Sequence, residues 1–166
     1  MNPLLSDLTA ILSQELQLHE QLLASASDMN AALRARKTLD VARCNSRSDV
    51  LFCQIEELEE KRLTASDRLA ESIGCKQRHA TIRQVIALLP PDDGAQLSEL
   101  RLKLRSILGE LNRVNCSNKM FLENGLRWIG KTFEIIANNS RKITGYQAQG
   151  GEARMALNTA VINRVA

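Results

Sequence analysis

Residues 40–73, DVARCNSRSDVLFCQIEELEEKRLTASDRLAESI, decide the fold. Val41, Cys44, Ser48, Leu51, Ile55, Leu58, Arg62, Ala65 and Leu69 recur at alternating steps of three and four, with Ile73 close to register. That is a sustained seven-residue repeat, the signature of a helix packed lengthwise against other helices. The residues before it read the same way. Asn2 suits an N-cap with Pro3 at the first helical position, and Leu5, Leu8, Leu12, Leu16, His19, Leu22, Leu23, Ala26, Met29 and Leu33 hold one face. The pattern predicts helices over 3–36 and 40–73, with Arg36 and Lys37 at the negative end of the first dipole and Thr38 and Asp40 available to cap the second. Each is about 34 residues, or roughly 50 Å, so an antiparallel hairpin buries both stripes.

Beyond Gly74, which suits a left-handed helix end, Ile82, Val85, Ile86 and Leu89 predict a short helix over 78–89, stopped at Pro90 and Pro91. Pro90-Pro91-Asp92-Asp93-Gly94 reads as a turn with Asp93 capping the next helix. Leu97, Leu100, Leu104, Ile107, Leu111, Asn115, Asn118, Leu122, Gly125, Ile129, Thr132 and Ile136 then carry a third long helix over 95–139. At about 68 Å it outreaches the hairpin by about 17 Å. Gly145, Gly150 and Gly151 break the pattern. The expected organisation is a helical bundle domain, 1–144, and a flexible C-terminal tail, 145–166, with apolar Met155, Leu157, Val161, Ile162 and Val165.

Composition agrees with an elongated all-α antiparallel bundle of three long helices plus a short one. Only 3 Pro, 8 Gly and 5 aromatics occur in 166 residues, too little turn chemistry for a many-stranded barrel or sandwich. No run is long and apolar enough to span a bilayer, and Met1 to Leu8 has no basic region of a signal peptide, so no membrane insertion is expected. Cys44, Cys53, Cys75 and Cys116 are too scattered for a zinc site or a disulfide framework, which suits a reducing cytoplasm. Charge is uneven: residues 1–73 carry 8 basic and 12 acidic side chains, residues 74–166 carry 14 and 7. Such halves pair with each other or offer a basic face to an acidic partner.

Sites for chemistry are scarce. Gly125-Leu126-Arg127-Trp128-Ile129-Gly130-Lys131-Thr132 spells a phosphate-loop pattern, but its bulky residues sit inside a helix pattern with no preceding strand. No nucleotide or other cofactor is expected. His19 and His79 lack partners at metal-ligand spacing, no nucleophile has a paired base, and Glu56, Glu57, Glu59 and Glu60 read as a solvated helix face. Neither an enzyme nor a metal site is indicated. Basic residues without an aromatic platform or a helix-turn-helix do not indicate nucleic acid. The feature that stands out is Phe121, Trp128 and Phe133 on the overhang of the third helix, with notches at Gly125 and Gly130. Aromatics at helical spacing are more often core than binding site, but a narrow bundle has little core at its tip, and Trp128 is the leading surface anchor.

Several motifs together resemble the FlgN-type flagellar export chaperones: Ala32-Leu33 closing one helix; Ile55-x-x-Leu58-Glu59-x-x-Arg62; Asn112-x-x-Asn115-x-x-Asn118 followed by Leu122; and Tyr146 before Gly150. The resemblance covers residues 1–151. It implies a small cytoplasmic protein, not an enzyme, that holds hook–filament junction proteins, prevents their premature assembly and delivers them to the type III export gate. It further implies that the client's C-terminal amphipathic helix lies along Leu122, Ile129, Phe133 and Ile136, beside Trp128, as in helix-in-groove recognition. Tyr146 matches the family's tyrosine for docking to the cytoplasmic part of the export gate; an ordinary loop aromatic covering the bundle end is the other reading. The three asparagines either fix helix register or are displayed. The alternative function is a helical scaffold or regulator that works as a homodimer or on another helical partner.

Overall fold

Asn2 does open the first helix: its side chain accepts from the Leu4 N–H at 3.1 Å, and Pro3, with no N–H to lose, takes the first helical position. The computed structural model describes residues 2–75, 80–140, 144–146 and 152–154. Helix α1 spans Pro3–Arg34, α2 Thr38–Ser72, α3 Ile82–Leu88 and α4 Pro91–Ser140. Two short strands follow, β1 Thr144–Tyr146 and β2 Glu152–Arg154, antiparallel, with Tyr146 opposite Glu152 and Thr144 opposite Arg154. The protein is an all-α helical bundle, as the heptads predict. It divides into two units, Met1–Phe121 and Leu122–Ala166.

In the first unit, rising positions of α1 meet falling positions of α2, which makes the pair antiparallel. Arg62 reaches Glu15 at 3.7 Å, Ser25 Oγ meets Ser48 Oγ at 3.0 Å and bonds the Cys44 carbonyl at 3.1 Å, and Arg47 faces Asp28 at 3.5 Å. Residues 91–121 of α4 then run parallel to α1. Leu97 and Leu104 join Leu5, Leu8, Leu12 and Leu69 in one apolar cluster, and Leu111 joins Leu22, Ala26 and Leu51 in a second. The row is seven-spaced, Leu97, Leu104, Leu111, Asn118, and all four side chains are buried. Asn118 ends it with a polar clasp: its amide donates to the Ala26 carbonyl at 2.9 Å and its carbonyl oxygen accepts from Asn30 at 2.7 Å. Asn30 in turn accepts from Arg34 Nε at 2.9 Å, and the Arg34 guanidinium lies 5.0 Å from the Phe121 ring centroid. Register fixing by a buried amide therefore holds for Asn118, while Asn112 and Asn115 are exposed. Successive steps of three rotate about 60° off the seam each time, so only one of the three can sit on it.

Helices α1 and α2 end in the same backbone motif on different residues. At α2, Gly74 takes φ +77°, its N–H donating to Glu71 O and that of Cys75 to Ala70 O. At α1, Arg36 takes φ +57°, with Arg36 N–H to Leu33 O and Lys37 N–H to Ala32 O. This pair of bonds satisfies the last carbonyls and needs a left-handed residue, which glycine adopts freely and arginine does not.

Three helix starts differ from the sequence expectation, while every helix end falls within two residues of it. Helix α2 starts at Thr38 rather than Asp40, with Lys37 as N-cap and no side-chain capping bond. Helix α3 starts at Ile82; the expected start near Arg78 lies, with His79, outside the described residues. Its real signal is the capping box Thr81-x-x-Gln84, in which the Thr81 N–H donates to Gln84 Oε1 at 2.8 Å and the Gln84 N–H to Thr81 Oγ1 at 3.4 Å. Helix α4 starts at Pro91, four residues before Ala95: the expected turn is its first turn, because the fixed φ of proline suits that position. The tail beyond Arg154 lies outside the described residues.

Candidate functional site

From Leu122 to residue 138 every side chain of α4 is exposed. Leu122, Trp128, Ile129, Phe133 and Ile136, the expected client-binding set, are 46%, 75%, 53%, 64% and 56% exposed, and Leu126 and Ile135, which the expected set omits, are 70% and 61%. At about 100° per residue these seven side chains occupy one half of the helix circumference. Glu123, Asn124, Arg127, Lys131 and Glu134 take the other half.

The apolar half has relief. Continuing the buried row of Leu97, Leu104, Leu111 and Asn118 by sevens gives Gly125 and Thr132. Leu122, Ile129 and Ile136 flank that line on one side, with Leu126 and Phe133 beyond them; Trp128 and Ile135 flank it on the other. A shallow channel floored by Gly125 and Thr132 thus runs between two apolar ridges, and Trp128 belongs to the ridge opposite Ile129. Thr132 adds no polarity to the floor, since its hydroxyl donates to the Trp128 carbonyl at 3.0 Å. A Cβ built at Gly125 meets nothing within 4 Å, so nothing among the described residues requires a glycine there. The sequence signal for Leu126 and Ile135 is their seven-residue spacing from Phe133 and Trp128.

The phosphate-loop lookalike, residues 125–132, lies wholly within α4, its backbone engaged in the helix rather than wrapped around an anion. Tyr146 lies in β1, outside the helix that carries the other expected residues. Among the described residues no cluster of His, Cys, Asp and Glu could hold a metal ion, and no helix is long and apolar enough to cross a membrane.

One ionic cluster lies in the first unit. Arg62 gives both arms of its guanidinium to Glu59, with Nε donating to Oε2 at 2.7 Å. Glu15, 8% exposed, is left with only the 3.7 Å charge contact to Arg62, too long for a hydrogen bond, and its Oε2 has no hydrogen-bond partner among the described residues. Burial pushes the Glu15 carboxyl above its ordinary value of 4.5, with Arg62 opposing, while the Arg62 hydrogen bonds hold Glu59 below it. His19, buried one turn on, donates from Nδ1 to the Glu15 carbonyl at 2.9 Å. This cluster ties α1 to α2.

The described residues define a class by fold: an all-α bundle whose last long helix presents an exposed, half-apolar face. The particular family follows from comparison. The chain belongs to the FlgN family, whose model, described as FlgN protein, matches residues 1–154. It is therefore a flagellar export chaperone, of a family that binds flagellar export substrates and is not known for enzymatic activity. The chain is also similar to the uncharacterized protein YvyG of Bacillus subtilis (strain 168), 24% identical over 119 residues that make up 72% of this chain and 72% of that one. No solved structure matches.

Proposed function

We propose that this chaperone works in the cytoplasm and receives the C-terminal amphipathic helices of the hook–filament junction proteins along residues 122–136, shielding them from premature assembly until delivery to the type III export gate. The observation that carries this reading is the channel of Gly125 and Thr132 between exposed apolar ridges. A helix laid there buries Leu122, Ile129, Phe133 and Ile136 on one side and Trp128 on the other, each fully buried large side chain contributing about 1.5–3 kcal/mol. Several must act together, because association costs about 4–15 kcal/mol in lost freedom. Gly125 then has a purpose: it lets the client backbone come close, at the expense of helix propensity. Tyr146, a few residues past α4, is the contact for the export gate.

Light scattering after size exclusion, with the protein alone and then with the C-terminal segments of both junction proteins, tests the reading. A stoichiometric complex supports it, and a stable self-dimer that ignores both segments favours the dimeric scaffold instead. Two substitutions locate the surface. Gly125→Leu fills the channel while raising helix propensity, so the expected outcome is lost client binding with helicity kept or increased; Trp128→Ala lowers affinity with the melting curve unchanged. Global unfolding by Trp128→Ala would instead make that residue core. Tyr146→Ala keeps client binding and reduces export.

A further inference from the structure

The first unit carries an open cleft of about 410 Å³ to which all four helices contribute, and none of the client-binding residues belongs to it. Leu12 of α1 and Leu104 of α4, both buried, lie at its base; Ile82, at the start of α3, and the exposed Leu108 continue the apolar lining. The rest of the lining is charged: Glu15, Glu59, Arg62, Arg101 and Arg105. These charges are not matched. Arg62 is committed to Glu59. Arg101 and Arg105 stand one turn apart on α4, and neither has an ion pair among the described residues, whereas Lys103 pairs with Glu99 and Arg113 with Glu110. Three guanidiniums therefore face two carboxylates, and one of these, Glu15, is buried with an oxygen that nothing among the described residues bonds. An apolar base, unpaired guanidiniums and a buried carboxyl short of a partner, converging on one concave surface, are the parts of a ligand site.

We propose that this cleft binds a small amphiphile, an apolar chain ended by a carboxylate. The chain lies against Leu12, Ile82, Leu104 and Leu108, and the carboxylate bridges Arg101 and Arg105, where it offsets the excess positive charge. The volume is at the lower end for small-molecule sites, so a chain of medium length fits. The charged and titratable groups around Glu15 are His19 on its own helix, Glu59 and Arg62 on α2, and Arg101 and Arg105 on α4; α3 contributes only Ile82. Burial already favours the protonated form of Glu15, with Arg62 opposing, and a second carboxylate close by favours it further. Once protonated, Glu15 donates a hydrogen bond to the bound anion and so gains the partner it lacks. The site stands apart from the client reading, which needs residues 122–136 alone.

Isothermal titration calorimetry of the full chain tests it, with octanoate and with octanesulfonate, whose head group stays ionised at every pH used. Both should bind saturably, one per chain, and octylammonium, with the same chain and the opposite charge, should not. Arg101→Gln combined with Arg105→Gln should weaken binding about tenfold or more. Lys103→Gln combined with Arg113→Gln makes the same change in charge outside the cleft and should leave binding unchanged. Octanesulfonate should bind more tightly at about pH 5.5 than at about pH 8, as Glu15 gains its proton. Glu15→Gln, whose amide donates at both, should remove most of that difference; what remains belongs to His19. No saturable binding, equal binding of octylammonium, or equal loss in the two double variants overturns the proposal. So does loss of binding in Ile129→Asp, which would put the amphiphile on the exposed face of α4. A capped peptide with one glutamate between leucines, binding where octanoate does not, overturns it in favour of a protein partner. A pH difference that Glu15→Gln leaves intact overturns the part given to Glu15.

Discussion

Helix α4 contains two regions built on one repeat and used in opposite ways. Through residue 121 its seven-spaced row, Leu97, Leu104, Leu111, Asn118, is buried against α1 and α2. From residue 122 that row continues as Gly125 and Thr132, and the apolar side chains move to either side of it, exposed. The same heptad thus makes a buried ridge in the first region and an exposed channel in the second. Burial in the first region uses large residues on the seam; openness in the second uses small residues on the seam and large ones at its edges. A helix whose apolar face merely ran out of bundle would keep leucine on the line, and this one does not.

Substitution on the two sides of that divide gives the largest contrast. Leu97→Ala removes a fully buried side chain and should cost about 2–5 kcal/mol, seen as a lower midpoint in urea. Ile129→Ala, on the same helix and 53% exposed, should fall within about 0.5 kcal/mol of the parent while weakening client binding. Equal destabilisation would erase the distinction between the regions.

A smaller effect sharpens it from the buried side. Glu15 is more costly to ionise in the folded chain than in the unfolded one, because burial raises its folded value above 4.5. The native state therefore holds more protons in the window from about 4.5 up to that raised value, and stability falls as pH rises through it. Glu59 has the opposite sign: its lowered folded value means stability is lost as pH falls below 4.5. Glu15→Gln keeps the shape without the charge and leaves the Glu59 and Arg62 pair intact. It should stabilise by on the order of 1 kcal/mol at neutral pH, the gain fading below the Glu15 window, as measured by urea titrations across pH. A loss at neutral pH would mean that the 3.7 Å charge contact with Arg62 outweighs the buried, unbonded oxygen.

The two regions are also legible in the sequence to different degrees. Heptads name Leu51, Leu58 and Leu69 on α2 and Leu5, Leu8 and Leu12 on α1 as core, and all six are buried, because three-and-four spacing leaves a long helix one way to hide its leucines. Membership of the FlgN family is readable from soft motifs over residues 1–151, and the family model extends over 1–154. Spacing alone marks Leu122, Ile129, Phe133 and Ile136 as a stripe but not that it lies open, since periodicity is the same whether a partner comes from the chain or from outside. Trp128 falls beside that stripe on spacing, but the channel floor between them emerges only once Gly125 is placed on the extension of the buried row. Thr81-x-x-Gln84 is a plain capping signal, which outweighs the earlier start that apolar spacing suggests for α3. The left-handed Arg36 has no signal at all, because nothing in arginine announces a positive φ.

That arginine carries the smallest prediction and isolates backbone cost from packing. Gly74 and Arg36 close α2 and α1 with the same two hydrogen bonds, and a Cβ built on Gly74 meets nothing within 4 Å. Any cost of Gly74→Ala is therefore conformational, about 1 kcal/mol of destabilisation. The reverse exchange, Arg36→Gly, relieves the same strain but frees the unfolded chain, so its gain is smaller, about 0.5 kcal/mol. Arg36 is exposed, which leaves few contacts to confuse the result. Thermal unfolding of both variants should move in opposite directions; if Arg36→Gly destabilises instead, the arginine side chain holds the α1–α2 turn through contacts that outweigh its strained backbone.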